Sequence, residues 1–170
     1  MSTKRLRAAV IGVGALGRFH VQKYVQAEGV ELYGVADVDE ERAQRCAKDY
    51  GCVAVCDFRT LLAQVELVSV VVPTDAHFTV ARACLEAGVH VLVEKPVTRT
   101  LEEADALIAL AARLGLTLGV GHLERFNPAF MDLSGMLARP FFVEAERLGG
   151  FKARGTDVDV VLDLMIHDID

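Results

Sequence analysis

The sequence predicts an α/β protein built on a doubly wound parallel sheet, followed by the start of a second α/β unit. Apolar runs typical of strands alternate six times with segments of helical periodicity, over about 120 residues. The strand runs are apolar at nearly every position, as expected for strands that helices cover on both faces. Parallel neighbours also need a crossover between them, and the intervening helices supply it.

Three strands are predicted in the first half of this alternation, at Leu6–Ile11, Val30–Ala36 and Val53–Val55. Asp39 can cap the helix that follows the second strand, and Gly51 is suited to end that helix. Asp57 can cap a brief helix that runs through Leu62.

Three further strands are predicted at Leu67–Val72, Val89–Val93 and Leu116–Val120. The helix between the first two of these begins at Pro73 and ends before Gly88, and Thr100 and Glu103 form a capping box for the last helix. Helical spacing places six apolar side chains on one face of that last helix: Leu101, Ala104, Leu107, Ile108, Ala111 and Leu114.

The pattern changes after Gly121, so we assign residues 1–122 to a first domain and residues 123–170 to the beginning of a second. A helix is predicted from Asn127-Pro128 to Leu137, an alternating strand over 141–148 and a helix over 157–169. One strand and one or two helices cannot close a core, so we expect the chain to be truncated at Asp170.

Composition argues against two classes of partner. A formal net charge of −6 is unfavourable for general phosphate-backbone binding, so no nucleic-acid partner is expected. No run approaches the roughly 20 apolar residues of a membrane span, and the run after Arg7 lacks the cleavage site of a signal peptide. We therefore expect a cytoplasmic protein without a membrane partner.

The cysteines do not suggest a metal site. No C-x-x-C pair occurs among the four of them, Cys46, Cys52, Cys56 and Cys84. Their neighbours are apolar, so we expect buried, reduced thiols and no bound metal.

A glycine-rich segment, Gly12-Val13-Gly14-Ala15-Leu16-Gly17, joins the first predicted strand to a predicted helix. This G-x-G-x-x-G spacing in a strand–helix context is the dinucleotide-binding fingerprint of a Rossmann domain. Gly12 allows the tight turn, Gly14 lets the backbone approach a pyrophosphate, and Gly17 lets the helix pack closely on the strand. The N–H groups at the helix start, around Ala15 and Leu16, then face the anion.

Asp37 ends the second predicted strand, twenty residues after Gly17. A carboxylate there can accept hydrogen bonds from the adenosine ribose hydroxyls and would repel a 2′-phosphate, which predicts NAD as the cofactor. A solvent-exposed loop aspartate is the structural alternative. Arg42 lies close enough in sequence to keep NADP open as a second cofactor.

Lys95 follows the fifth predicted strand at its carboxyl end, where ligands collect in open α/β sheets. Glu94 beside it can anchor its charge, and Pro96 fixes the turn. Surface lysines are common, but this position favours a functional role.

Asp163 and His167 are four residues apart on a predicted helix and therefore share a face. An aspartate one turn before a histidine can orient the ring and stabilise the imidazolium, which suits a general base. An ion pair on the helix surface is the alternative.

Other polar residues near predicted strand ends are candidates for the pocket. His77 and His122 can line it, although a hydrogen-bonded structural histidine is equally compatible with each. Arg125 and Asn127 can contact a substrate, while Pro128 makes a capping role for Asn127 an alternative.

Taken together, these motifs resemble the Gfo/Idh/MocA oxidoreductase family in both order and spacing. The resemblance is carried by five segments: Gly12–Gly17, Asp37, residues 73–77, Val91–Val97 and residues 163–167. It implies an N-terminal Rossmann domain followed by a C-terminal α/β domain with a large open sheet, and it makes this chain roughly the N-terminal half. Homo-oligomers formed through that open sheet are implied for the full-length protein.

A narrower resemblance, over residues 121–129 and 157–170, points to the subgroup that includes UDP-N-acetylglucosamine 3-dehydrogenases. It implies NAD-dependent oxidation of a sugar hydroxyl to a ketone, with a UDP-N-acetyl-hexosamine as substrate and C3 as the reacting carbon. Another sugar or a cyclitol such as inositol is an alternative substrate. A dinucleotide-binding module without catalysis is a further alternative.

The resemblance also implies residue roles. Lys95 would hold the substrate hydroxyl and stabilise its developing alkoxide, and His167 would be the general base, oriented by Asp163. The segments it covers add five residues to the cofactor site: Pro73, Thr74, His77, Glu94 and Lys95. A 170-residue chain lacking most of the second domain is expected to bind NAD weakly and to turn over little or no sugar.

Overall fold

In a computed structural model, the chain forms a six-stranded sheet in which every pairing is parallel. The structure describes residues 5–134, 141, 142, 144, 146, 161 and 165–169. The strands are β1 (Leu6–Ile11), β2 (Val30–Ala36), β3 (Val53–Val55), β4 (Leu67–Val70), β5 (His90–Val93) and β6 (Leu118–Val120). They lie in the order β3-β2-β1-β4-β5-β6, which confirms the predicted doubly wound Rossmann topology.

Six helices belong to the described residues: α1 (Ala15–Gln26), α2 (Glu40–Tyr50), α3 (Thr74–Glu86), α4 (Leu101–Leu114), α5 (Pro128–Ser134) and α6 (Ile166–Ile169). Two 3₁₀ turns, Phe58–Leu61 and Leu123–Phe126, also lie within that part of the chain. Asp39 and Thr100 cap α2 and α4 as predicted, each accepting a hydrogen bond from the backbone N–H three residues later.

The last two strands begin later than their apolar runs predict. The N–H of Val89 donates to the carbonyl of Cys84 over 3.1 Å, and the N–H of Leu116 donates to that of Ala111 over 2.9 Å. Both residues therefore still satisfy helix carbonyls, and the sheet ladder starts at His90 and Leu118. An apolar residue that closes a helix cannot be distinguished by pattern from one that opens a strand.

The predicted apolar face of α4 is confirmed only in part, at Leu107 and Ala111. Leu107, Leu110 and Ala111 are the buried residues of this helix, whereas Leu101 is 80% exposed and Ile108 is 59% exposed. Residues 106–112 are apolar all round the helix, so periodicity alone could not select the side that packs on the sheet.

The core consists of two clusters, one on each side of the sheet. Ala9 and Ile11 belong to the larger cluster, while Val10 between them belongs to the smaller one. This alternation follows from the two-residue period of a strand and explains why β1 is apolar at consecutive positions.

The thiols are partly as predicted. Cys46 and Cys84 are buried, but Cys52 is half-buried and Cys56 is exposed, which corrects the expectation that all four are buried. All four are free, and the described residues contain no cluster of histidine, cysteine and carboxylate side chains able to hold a metal ion. None of the described helices has the length and apolar character that crossing a bilayer requires.

The predictions for the last part of the chain fall largely outside the described residues. Asn127 caps α5 through the N–H of Ala129, at 3.1 Å, which confirms the predicted helix start. Four of the eight residues of the predicted strand over 141–148 are described, at positions 141, 142, 144 and 146, and none of them is in a strand. Of the predicted helix over 157–169, residues 161 and 165–169 are described, and they include α6.

Candidate cofactor and active site

The strand order lines up the predicted site along one edge of the sheet, because parallel strands share their carboxyl edge. Reading across that edge from β2 to β6, the strands are followed by Asp37, Gly12, Pro73, Glu94 and His122. The strand order reverses between β1 and β4, which are adjacent and connect to opposite halves of the sheet. Ligands of open α/β sheets bind at such a switch point.

Two glycines of the loop after β1 are required by the fold. Gly12 has a φ of +88°, and a Cβ at this position would collide with the backbone of Val71. A Cβ at Gly17 would collide with the carbonyl of Gly12. Both therefore shape the turn and hold α1 close to β1.

Gly14 differs from these two glycines because no described atom lies within 4 Å of its hypothetical Cβ. It is the N-cap residue of α1, makes no side-chain cap hydrogen bond, and is followed by a first turn without an acidic residue. The exposed helix start thus offers backbone N–H groups and the positive dipole end to an anion. An NAD pyrophosphate fits this loop on both steric and electrostatic grounds.

Asp37 is buried at 7% exposure and accepts hydrogen bonds on both carboxylate oxygens. The N–H of Val13 donates to Oδ2 over 2.9 Å, and the N–H of Asp39 donates to Oδ1 over 3.0 Å. The Arg42 guanidinium lies 3.2 and 3.3 Å from the two oxygens. Asp37 is thus tied directly to the glycine loop, and Arg42 occupies its outer side.

An open pocket of about 250 Å³ lies beside the glycine loop and contains three arginines. Its lining residues are Val13, Gly14, Ala15, Arg18, Arg42, Arg45 and Cys46. Arg18 pairs with Asp49 over 2.9 Å and Arg45 with Glu41 over 3.2 Å, both at the surface. The pocket adjoins the helix start and is basic although the chain as a whole is acidic.

The Glu94-Lys95-Pro96 segment follows β5 with a cis peptide bond between Lys95 and Pro96. Glu94 is 5% exposed, and its Oε2 accepts a hydrogen bond from the Lys95 N–H over 3.2 Å. A Cβ at Gly121 would lie 2.7 Å from the other oxygen, Oε1. Lys95 itself is half-buried at the sheet edge.

A buried polar network joins Glu94 to α1. Nε2 of His20 lies 2.9 Å from Oε1 of Glu94, and its Nδ1 lies 3.1 Å from Oγ of Ser69, which also meets the Tyr24 hydroxyl at 2.7 Å. Burial opposes ionisation of Glu94. The hydrogen bond and charge of His20, together with the N–H and charge of Lys95, outweigh burial and hold the pKa of Glu94 below its ordinary value.

His77 is 1% exposed, and both of its ring nitrogens meet backbone carbonyls. Nδ1 lies 2.8 Å from the Pro96 oxygen and Nε2 lies 2.9 Å from the Val72 oxygen. A neutral ring can donate to one of these carbonyls, whereas an imidazolium can donate to both. The ring links the turn after β4 to the turn after β5, behind the exposed Pro73 and the buried Thr74.

The candidate substrate residues lie beyond β6. His122 is half-buried and directly follows Gly121, whose N–H donates to the carbonyl of Val93 over 2.8 Å. This brings His122 to the carboxyl edge beside Glu94. Arg125 and Asn127 are exposed, and the amide of Asn127 also donates to Glu124 over 3.0 Å.

The predicted pair of Asp163 and His167 is only half described. His167 lies in α6 and is partly exposed, whereas Asp163 lies outside the described residues. Their predicted partnership stays a prediction.

Comparison with known proteins identifies the family. Residues 6–122 match the Gfo/Idh/MocA oxidoreductases, described as having an NAD-binding Rossmann fold. The chain belongs to the Gfo/Idh/MocA family. The resemblance inferred from the sequence motifs is thereby confirmed, and NAD is the cofactor that the family description gives.

One member of the Gfo/Idh/MocA family is similar over nearly the whole chain. The UDP-N-acetylglucosamine 3-dehydrogenase of Acidithiobacillus ferrooxidans is 49% identical over 166 residues, which cover 97% of this chain and 52% of that protein. Its solved structure superimposes with a TM-score of 0.90 at 48% identity, over 97% of this chain and 55% of that one. The chain thus spans about half the length of this curated relative.

Two other relatives show the breadth of the Gfo/Idh/MocA family. The structure of GenD2 from gentamicin A biosynthesis in complex with NAD has a TM-score of 0.77 at 30% identity, over 78% of this chain and 39% of that one. An inositol 2-dehydrogenase of Mycolicibacterium smegmatis is 31% identical, over 97% of this chain and 51% of that protein.

Our sequence reasoning missed His20, Ser69 and Tyr24, which form the buried network behind Glu94. A usable pattern was present, because Gly17 and Val21 mark the inward face of α1. His20 and Tyr24 lie on that face at helical spacing. A histidine on the sheet-facing side of this helix needs a polar partner there.

Proposed function

We propose that the full-length protein is an NAD-dependent oxidoreductase that oxidises the C3 hydroxyl of a UDP-N-acetyl-hexosamine to a ketone. The observation that carries the proposal is the 49% identity to a UDP-N-acetylglucosamine 3-dehydrogenase over 97% of this chain. We further propose residues 1–122 as the NAD-binding domain and 123–170 as the beginning of the substrate and oligomerisation domain. A cytoplasmic location and a homo-oligomer are part of the same proposal.

The glycine loop and Asp37 would hold the two ends of the cofactor's adenosine diphosphate. The exposed N–H groups around Ala15 and Leu16 would bind the pyrophosphate, and the Asp37 carboxylate would accept the ribose hydroxyls. Because Arg42 already contacts both oxygens of Asp37, its guanidinium would have to move aside. Arg42 is 45% exposed, so water can replace its contacts.

Pro73 and Thr74 would form the wall beside the nicotinamide half of the site, since they follow β4 at the switch point. His77 would support this wall from behind through the Val72 and Pro96 carbonyls. Bound NAD supplies one chemical function, acceptance of a hydride from the substrate carbon.

Lys95 would donate a hydrogen bond to the substrate hydroxyl and stabilise the negative charge that develops on its oxygen. His167 would take the hydroxyl proton, with Asp163 orienting its ring and stabilising the imidazolium. The carbon thus loses a hydride and its oxygen a proton, which leaves a ketone. His122, Arg125 and Asn127 would contact the sugar or its diphosphate.

The test is an assay of NAD reduction by the full-length protein with a panel of UDP-N-acetylglucosamine, other UDP-sugars and free polyols. We expect reduction with a UDP-N-acetyl-hexosamine and a loss of about a hundredfold or more in Lys95→Ala, a scale typical of removing one stabilising donor. Lys48→Ala, an exposed lysine on α2, is the control and should keep full activity.

Two results would overturn the proposal. Reduction with inositol or another free polyol and with no UDP-sugar would assign a different substrate to the same chemistry. NAD binding without reduction by any compound would identify a non-catalytic dinucleotide module.

A further inference from the structure

We propose that His20 is a positioning residue that acts through Glu94 to set the place of the Lys95 ammonium, and so links the cofactor-binding helix to the catalytic lysine. This inference rests on the proposed function of Lys95. It goes beyond that function because His20 lies on α1, 74 residues before Glu94 and on the other side of the switch point.

The hydrogen bond between His20 and Glu94 has a definite direction. An ionised carboxylate only accepts, so Nε2 of His20 must donate to Glu94. In the neutral ring Nδ1 is then an acceptor, and it takes the hydroxyl hydrogen of Ser69. In that state Ser69 accepts from the hydroxyl of Tyr24, and each polar atom of this network has a partner.

The burial of these groups makes the arrangement costly to disturb. Ser69 is fully buried, and the side chains of Glu94 and His20 are 6% and 12% exposed. A buried carboxylate that loses one donor must find another or take up a proton. The hydrogen bond from His20 lowers the pKa of Glu94, and the N–H and charge of Lys95 lower it further.

Removal of His20 would therefore leave the N–H and charge of Lys95 as the remaining influences that favour ionised Glu94. The ammonium would be drawn toward the carboxylate and away from the place where the substrate hydroxyl must meet it. The Glu94 carboxylate already occupies the space that a side chain at position 121 would take, because a Cβ there would lie 2.7 Å from Oε1.

The first test compares His20→Ala and His20→Gln in the full-length protein. We expect His20→Ala to lower kcat about tenfold or more, with a change in NAD dissociation constant of less than about threefold, because the glycine loop and Asp37 are untouched. A glutamine places an N–H donor near the position of Nε2, so His20→Gln should recover most of kcat.

His90→Gln is the matched control. His90 begins the strand that Glu94 follows, is half-buried, and accepts from the N–H of Thr117 over 3.0 Å at the opposite edge of the sheet. Its replacement should leave kcat unchanged. Equal losses in His90→Gln and His20→Ala would show general damage to the sheet and overturn the positioning role.

A second test does not depend on turnover. The rate of acylation of the Lys95 amine, followed by mass spectrometry, should fall severalfold in His20→Ala, because an amine held against the Glu94 carboxylate is less accessible to the reagent. The rate at Lys48 should not change. The fall should disappear when Glu94→Gln is combined with His20→Ala, since the carboxamide carries no charge.

The outcomes separate this inference from the proposed function. If the wild-type protein reduces no NAD but Lys95 acylation responds to His20 as expected, the proposed function fails and the positioning contact stands. If the wild-type protein is active, and His20→Ala changes neither kcat nor Lys95 acylation, the inference is wrong.

Discussion

At the scale of single residues, Asp37 shows how much a sequence motif leaves out. Its distance from Gly17 predicted a carboxylate at the ribose end of the site, and the structure places it beside the glycine loop. The motif could not predict the four hydrogen bonds that the two carboxylate oxygens of Asp37 accept. The contact with Arg42 depends on a rotamer of a partly exposed side chain, which sequence spacing does not determine.

Replacing Arg42 with alanine should increase the selectivity for NAD over NADP. The ribose diol would no longer compete with a guanidinium for Asp37, and a 2′-phosphate would lose its nearest cation. We expect the ratio of the NADP and NAD dissociation constants to rise severalfold, measured by isothermal titration calorimetry. Arg82→Ala, which removes a surface pair with Glu86, is the control; an unchanged ratio in Arg42→Ala would contradict the prediction.

The glycine loop predicts opposite outcomes for two alanine substitutions. Gly14→Ala should leave the melting temperature nearly unchanged, because its Cβ enters open space, but should weaken NAD binding about tenfold or more by blocking the pyrophosphate. Gly17→Ala should destabilise the protein by about 1–3 kcal/mol, as overpacking does. Thermal melts and NAD titrations of both variants check this; a destabilised Gly14→Ala protein would be inconsistent with it.

Glu94 should make the protein acid-sensitive. Its pKa in the folded protein lies below the ordinary value of 4.5, so ionised Glu94 stabilises the fold above that pH, and this contribution is lost as pH falls through the folded pKa. Between about pH 6 and pH 3, the melting temperature of the wild-type protein should fall more steeply than that of Glu94→Gln. Parallel curves for the two proteins would contradict the assigned shift.

At the scale of elements, local sequence chemistry predicted most of the fold and failed where two elements compete for the same residue. All six strands were predicted, and the caps at Asp39, Asp57 and Thr100 are present. The late starts of β5 and β6 come from tertiary hydrogen bonding at helix ends. The side of α4 that packs on the sheet is determined by tertiary packing, because apolar residues surround the helix and their pattern does not select one face.

Helix α4 allows the cap and the exposed face to be tested together. Thr100→Ala should destabilise the protein by about 1 kcal/mol, because the N–H of Glu103 loses its acceptor. Leu101→Ala, at the neighbouring and 80% exposed position, should change the free energy of unfolding much less. Chemical denaturation of both variants measures the difference; a larger effect at Leu101 would mean that this face is covered.

At the scale of the whole molecule, the residues proposed to hold NAD and the proposed catalytic base lie in different parts of the chain. The residues that would hold NAD come from β1, β2, β4 and β5, all within residues 6–122. The proposed base, His167, is more than seventy residues after Lys95. Sequence could predict both residues by motif, but only the packing of a second domain could bring them together.

The 170-residue chain and the full-length protein should therefore differ in activity more than in fold. We expect the 170-residue chain to bind NAD weakly and to turn over little or no UDP-sugar, because relatives are about twice as long. Titration calorimetry and an assay of NAD reduction, run on both forms, make the comparison. Turnover by the 170-residue chain at a rate near that of the full-length protein would contradict this prediction.

The uneven burial of the cysteines has a practical consequence for following ligand binding. Burial raises the pKa of Cys52 to about 11 and of Cys84 to about 12, and it also raises the pKa of the buried Cys46. These thiols stay protonated and slow to react at neutral pH, which leaves the exposed Cys56 as the preferred site for a maleimide fluorophore. Cys56 directly follows Val55, whose carbonyl accepts the N–H of Asp37 over 3.2 Å. A dye at Cys56 would lie near the proposed ribose end of the site, so its fluorescence would report cofactor binding. This is useful because the sequence contains no tryptophan whose fluorescence could be followed instead.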